Sequence, residues 1–280
     1  MRVVWQLLTV VAVWMIGGQC VAAVDGNPWL TLVGGLLTAV LAVFAYRWVV
    51  GRTERRTVAE MSFEDAAPAV GRGVLIGVAL FGAVIVNLAF AGDYKVNGLG
   101  SVTGAVGLFG FMAAAAVTEE VVFRGVLFRL IEERAGTWLS LVLTGALFGL
   151  MHLLNPNASL WGAVAIAIEA GGMLAAAYAA TRKLWLPMGL HFGWNFAASG
   201  IFSTEVSGND TQKGILDSAT SGSKWITGGD FGPEASVYSV LFGVLLTAAF
   251  MWLAHRRGNL VPRRSRRVTE TAADTTTVSR

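Results

Sequence analysis

An all-α bundle of membrane-spanning helices is the fold class predicted for this 280-residue chain. Three observations predict it. Hydrophobic residues make up 55% and charged residues 14%, with a mean hydropathy of +0.61, whereas an ordinary soluble domain carries about 25% charged residues. Apolar runs recur at lengths near the roughly 20 residues that cross a hydrocarbon core. Arginines gather at the ends of those runs.

The runs give about eight spans by length and scarcity of charge. They lie near 3–24, 29–50, 73–92, 104–130, 137–154, 158–181, 184–202 and 236–254. The first follows Arg2 and precedes VAAV, so a cleaved signal peptide is the alternative there. IGGQC makes a poor lipoprotein site because Gln19 is bulky, and a retained span is expected. Cys20, the one cysteine, rules out an internal disulfide and a cysteine-based metal cage. It is expected to pack as a small apolar residue.

Connections between spans carry the orientation. Arg47, Arg52, Arg55, Arg56 and Arg72 flank the second connection; Arg129 and Arg134 follow the fourth run, Arg182 and Lys183 the sixth, Arg256 and Arg257 the eighth. Simple alternation puts all of these on one side. The opposite connections AAVDGNP, AGDYKVNG and NPNAS hold one lysine between them. Both termini are therefore expected to face the cytosol. The loop 203–235 is Gly/Ser-rich and external, ending in TGGDFGPEAS with a helix start expected at Pro233. Residues 256–280 are basic and then Thr-rich, and are expected to form a disordered cytosolic tail whose arginines meet lipid headgroups. The net charge of +3 and pI near 9.3 do not indicate nucleic acid, because no basic, aromatic-interleaved folded surface accompanies them. The expected organisation is spans over 1–100, a core over 101–202, a loop and last span over 203–255, and the tail.

Ionisable groups at membrane depth are rare and face a protein interior or a watery cavity. Here they are Glu119, Glu120, Arg124, His152, Glu169 and His191. Glu120 and Arg124 are four apart, share a helix face and can pair. Glu119 is rotated about 100° from Glu120, leaving Arg124 poorly placed to neutralise it. The doublet therefore divides into a paired structural glutamate and one free to act as a general base or acid. The four-residue spacing recurs in Phe148/His152 and in His191/Asn195, and Gly145/Gly149 and Gly189/Gly193 have the GxxxG spacing of closely packed helices. At 1.5 Å per residue, Glu119 lies roughly 22 Å from a boundary at Arg134 and His152 a similar distance from Thr137, but His191 only roughly 13 Å from Arg182. The shallow histidine requires a tilted span or a connection that dips inward. Taken singly, each feature has a bland reading: a packing histidine, an interhelical ion pair, a core phenylalanine.

Together the residues resemble a known family. EEVVFR is similar to the EExxxR motif of the CAAX-protease and bacteriocin-processing (CPBP, abortive-infection) family, FGLMH to its FxxxH motif, and HFGWN to its HxxxN/D motif. They occur in the family's order within about 100–200, and LWLPMGLHFGWN resembles the bacterial form of the third motif, so a bacterial cell membrane is expected. The resemblance implies that 101–202 is the catalytic core of an intramembrane endopeptidase acting on a peptide or protein substrate reached within the bilayer. It implies that Glu119 and His152 activate the attacking water, that His191 and Asn195 complete the site and stabilise the oxyanion, and that Glu120, Arg124 and Phe148 support the geometry. Glu169 has no role in the pattern; a partner near Arg182 or the site is expected.

No serine or cysteine neighbours the intramembrane histidines in a nucleophile motif, so water activation is simpler than covalent catalysis. No cofactor is expected; a zinc ion on Glu119, His152 and His191, as in a metalloprotease, is the alternative. A proton-coupled transporter and a non-catalytic bacteriocin-immunity protein are the competing functions. Transporters usually show repeated halves, which this chain lacks, and a scaffold has no need of Glu119.

Overall fold

The computed structural model describes residues 2–263 as a helical bundle. Helices α1 (Arg2–Ala22), α2 (Pro28–Glu54) and α3 (Ala66–Ala91) lead to strand β1 (Tyr94–Leu99) and α4 (Val102–Glu120). A π-helical stretch, Val121–Phe128, joins α4 to α5 (Arg129–Met151). Then come α6 (Leu160–Ile166), a second π stretch (Ala167–Gly172), α7 (Met173–Thr181) and α8 (Trp185–Asn195) with a third (Phe196–Ile201). Strand β2 (Leu216–Thr220), the short α9 (Lys224–Thr227) and α10 (Val237–Arg256) complete the chain.

Among the described residues, six helical stretches are long and apolar enough to cross a membrane, against about eight spans predicted from the apolar runs. Two differences account for the count. The predicted spans 104–130 and 137–154 lie in one stretch, Val102–Leu154, in which the chain turns at Gly136 with φ 79° and ψ 168°. Glycine enters that left-handed region without a Cβ penalty, so one residue does the work of a loop. The predicted span 184–202 is α8 with its π continuation, which is shorter than the other crossings. Helix α3 begins at Ala66, ahead of the expected 73, and carries Arg72 on an exposed face.

Helices that start at the loop end are capped from the sequence. Asn27 Oδ1 accepts from Trp29 N and Leu30 N at 3.1 and 3.2 Å, with Pro28 at the first helical position. Ser101, Ser159 and Ser236 cap α4, α6 and α10 in the same way. The start expected at Pro233 is instead a 3-10 turn, Pro233–Ala235, and α10 begins at Val237. Lipid offers no hydrophobic drive between helices, so close approach of backbones must supply the packing. It does so between α3 and α8. A Cβ on Gly73 or Gly77 would meet Leu186 O or Leu190 O at 2.4 Å, and one on Gly189 or Gly193 would meet Val70 O or Val74 O at 2.3 and 2.5 Å. The GxxxG pair in α8 was legible; its reciprocal partner in α3 was not singled out.

The two ends of the bundle differ in chemistry. At one, Arg129 pairs with Glu54 at 2.8 Å, Arg56 with Glu60 at 2.7 Å and Arg182 with Glu132 at 2.5 Å, while Arg2 pairs with Glu133. At the other, β1 pairs antiparallel with β2, Asn155 Nδ2 donates to Ser207 O at 2.6 Å, and Asn157 Nδ2 to Asp210 at 2.7 Å. The connections grouped by their lack of arginine thus meet at one end, under the 203–235 loop. Two expectations are corrected here. Cys20 is exposed on the last turns of α1. The first residues of the expected tail are ordered: Arg257 donates to Ala180 O at 3.0 Å and Val261 N to Thr137 Oγ1 at 2.8 Å, which fills the turn at Gly136. The remainder of the tail, from 264 on, lies outside the described residues.

Candidate active site

Helix α4 ends in Glu119 and Glu120 and runs straight into π-helical winding. Such stretches often mark functional sites, because the wider turn re-aims side chains. Glu120 is fully buried and pairs with the equally buried Arg124 at 2.7 Å, as the four-residue spacing predicts. Arg124 Nη2 also donates to Ala170 O at 2.9 Å and Gly171 O at 3.2 Å in the second π stretch. Its guanidinium lies 4.9 Å over the Phe148 ring. Glu120 does more than neutralise an arginine: the same Oε1 lies 3.0 Å from Nδ1 of His191.

Both site histidines are anchored through Nδ1. His152 Nδ1 is 2.7 Å from Phe148 O, an acceptor only, so that nitrogen carries the proton and donates. His191 Nδ1 is held by the Glu120 carboxylate. In both rings Nε2 is left for chemistry. Phe148, fully buried, separates and steadies the two imidazoles, with ring centroids 4.7 Å from His152 and 6.1 Å from His191. Glu119, its side chain 14% exposed, turns away from the ion pair and brings Oε2 to 3.9 Å from His191 Nε2. That separation is too long for a direct hydrogen bond. Asn195 shares the α8 face of His191, and its backbone carbonyl accepts from Ser199 Oγ at 3.0 Å.

Glu119, His152, His191 and Asn195 all line one cavity of about 640 Å³. The four residues singled out on three separate helices therefore converge. The apparent depth difference between Glu119 and His191 narrows because the polar boundary of the fourth run begins at Arg129, which already pairs with Glu54. Counted from there, Glu119 lies roughly 15 Å deep, close to the roughly 13 Å of His191. The connection before α8 also folds inward, with Leu184 N donating to Glu60 O at 2.9 Å and Trp185 Nε1 to Ser62 O at 2.7 Å.

Glu169 does not pair with Arg182, which takes Glu132 instead. It lies fully buried in the second π stretch, packed where a Cβ on Gly243 would strike it, and among the described residues neither of its oxygens has a hydrogen-bond partner. Its neighbours Ala170 and Gly171 give their carbonyls to Arg124, so it stands beside the site without bonding to it. Sequence reasoning missed Glu234. This loop carboxylate is buried; it accepts from Trp194 Nε1 at 3.1 Å, between His191 and Asn195 in sequence, and from Ser207 N and Oγ at 2.5 and 2.8 Å. Burial pushes its carboxyl up from the ordinary range, against the pull of the Ser207 bonds and the nearby imidazoles. Its only sequence signal was an acidic residue among turn formers.

Two imidazoles with anchored Nδ1 and a free carboxylate are a donor set that suits zinc. Among the described residues, however, no three His, Cys, Asp or Glu side chains come together as a metal cluster.

Residues 100–197 match the Rce1-like family model, described as type II CAAX prenyl endopeptidase Rce1-like. No curated protein and no solved structure matches the chain. The matched segment contains all three motifs and every cavity residue named from them, while Glu234 and the loop that carries it lie beyond its end.

Proposed function

With an Rce1-like, CAAX-type protease domain over 100–197 of a multi-helix membrane protein as the premise, we propose that this chain is an intramembrane endopeptidase that hydrolyses peptide bonds with water activated by Glu119. The observation that carries the reading is the 3.9 Å between Glu119 Oε2 and His191 Nε2 on the wall of the cavity. Groups at that distance can hold one water between them. Glu119 takes its proton as the water attacks, and His152, whose Nε2 is free, shares the activation. The proton then passes to the leaving amine.

Asn195 and, when it carries both ring protons, the anchored imidazole of His191 face the carbonyl oxygen as it gains charge. Fixed donors in a water-poor cavity are worth more than the same donors in bulk water. Glu120, Arg124 and Phe148 hold the imidazoles and do not touch the substrate. The steps require no metal; if zinc were bound, Glu119, His152 and His191 would hold it, and it would supply Lewis-acid polarisation. Both termini face the cytosol in this reading, since the arginine-bearing connections share one end.

The test is turnover of a quenched peptide library by purified protein in detergent, wild type against Glu119→Gln. Cleavage by the wild type alone supports the reading, and equal cleavage by both removes Glu119 from the mechanism.

A further inference from the structure

The wall of the cavity shows from which side, and in what form, a peptide reaches Glu119. Asp25, Asn155, Ser207, Asn209, Asp210 and Gln212 line it, and all belong to connections at the loop end. Among the described residues, no arginine or lysine lines it. The arginine clusters close the opposite end through Arg129–Glu54, Arg56–Glu60 and Arg182–Glu132. The mouth thus faces away from the positive end of the bundle. Because Lys and Arg collect on cytosolic connections, that mouth is extracytoplasmic.

A second feature concerns the other wall. Phe111 on α4 is 45% exposed and Leu154, just beyond α5, is 85% exposed, yet both also line the cavity. Half-buried Trp14 and Met151 join them. The cavity therefore runs out sideways onto the apolar surface that meets lipid, as well as upward to the polar loops. A peptide arriving only from water would need the polar mouth alone. A membrane-inserted one needs both, because its helical part stays against apolar side chains. The stretch that unwinds for hydrolysis bares backbone N–H and C=O groups, which lipid cannot satisfy. The amides of Asn155, Asn209 and Gln212 at the mouth, and of Asn195 deeper in the cavity, offer both donors and acceptors to such groups.

Resting on the protease reading above, we infer that the substrate is a membrane-inserted peptide, cut where it leaves the bilayer on the face opposite the arginine-rich end.

Two measurements on the full-length protein test this. In a Cys20→Ser background, Gln212→Cys and Arg55→Cys are treated in intact cells with a membrane-impermeant maleimide. Labelling of Gln212→Cys, with Arg55→Cys labelled only after permeabilisation, is expected; the reverse pattern overturns the sidedness. In proteoliposomes, synthetic peptides of about 20 Leu/Ala residues, the length of one span, carry randomised polar extensions and compete with the same extensions lacking the span. Span-bearing peptides should be cut inside the extension next to the span by the wild type and not by Glu119→Gln. Equal or preferred cutting of the span-free extensions overturns the inference and leaves the protease reading intact. Cutting of neither peptide set by the wild type sinks the protease reading itself, and this inference with it.

Discussion

Glu120 Oε1 lies 3.0 Å from Nδ1 of His191, joining two residues 71 positions apart. The same oxygen takes Arg124 at 2.7 Å, so one buried carboxylate both neutralises the arginine and orients the imidazole. Glu120→Ala should therefore act twice. Breaking a buried pair typically destabilises by about 3–5 kcal/mol, and His191 also loses the acceptor that fixes its ring. Thermal unfolding and turnover should both fall, with Glu120→Gln retaining more stability than activity. A Glu120→Ala protein as stable as the wild type would refute the buried-pair account.

Glu119 carries a different load. Glu119→Gln keeps the side-chain shape and leaves the buried Glu120–Arg124 pair intact, so the protein should remain inserted and monodisperse on gel filtration. Turnover should drop by about 10²–10⁴, the usual contribution of a positioned general base. Wild-type turnover in this variant would exclude Glu119 as the base.

The α3–α8 contact should be intolerant of a single methyl. A Cβ on Gly77 would lie 2.4 Å from Leu190 O and 2.6 Å from Trp194 N. Backbone must move, and α8 carries His191 and Asn195. Gly77→Ala is expected to destabilise by about 1–3 kcal/mol, as overpacking does, and to lower turnover. Gly82→Ala, on the same helix with nothing within 4 Å of its Cβ, is the control and should leave both unchanged.

Metal dependence separates the two water-activating chemistries. If Glu119 and the histidines act unaided, turnover should survive exhaustive dialysis against a chelator. Elemental analysis should then find well under about one zinc per chain, the content of a catalytic site. Joint loss of zinc and activity in His191→Ala would establish a metal site.

Acid should loosen the arginine-rich end. Burial opposes ionisation of Glu60, but Arg56 at 2.7 Å and the Tyr46 hydroxyl at 2.8 Å hold its carboxyl below the usual range. A depressed folded value means the stabilisation is present above the unfolded carboxylate value of about 4.3. It is lost as pH falls through the folded value beneath that. Unfolding midpoints measured from pH 7 downward should drop more steeply in the wild type than in Glu60→Gln. Parallel curves would mean that Glu60 contributes nothing to the acid limb.

The sequence by itself determined the all-α membrane class, the Glu120–Arg124 pair, and four of the polar residues that line the cavity, Glu119, His152, His191 and Asn195. Hydropathy and four-residue spacing are properties of one helix and need no neighbours. Tertiary structure alone decided which atoms meet. Glu120 reaches His191, Arg182 takes Glu132 and leaves Glu169 unpartnered, and Gly73 and Gly77 receive the glycines of α8. Glu234 enters from a loop that shows no periodicity to read. Each of these depends on how far one helix is rotated, tilted or shifted against another. The π stretches at Val121–Phe128, Ala167–Gly172 and Phe196–Ile201 change that phase within the helices that hold the site. A count of residues along an ideal helix does not carry that information, because the wider turns are stabilised by contacts between helices.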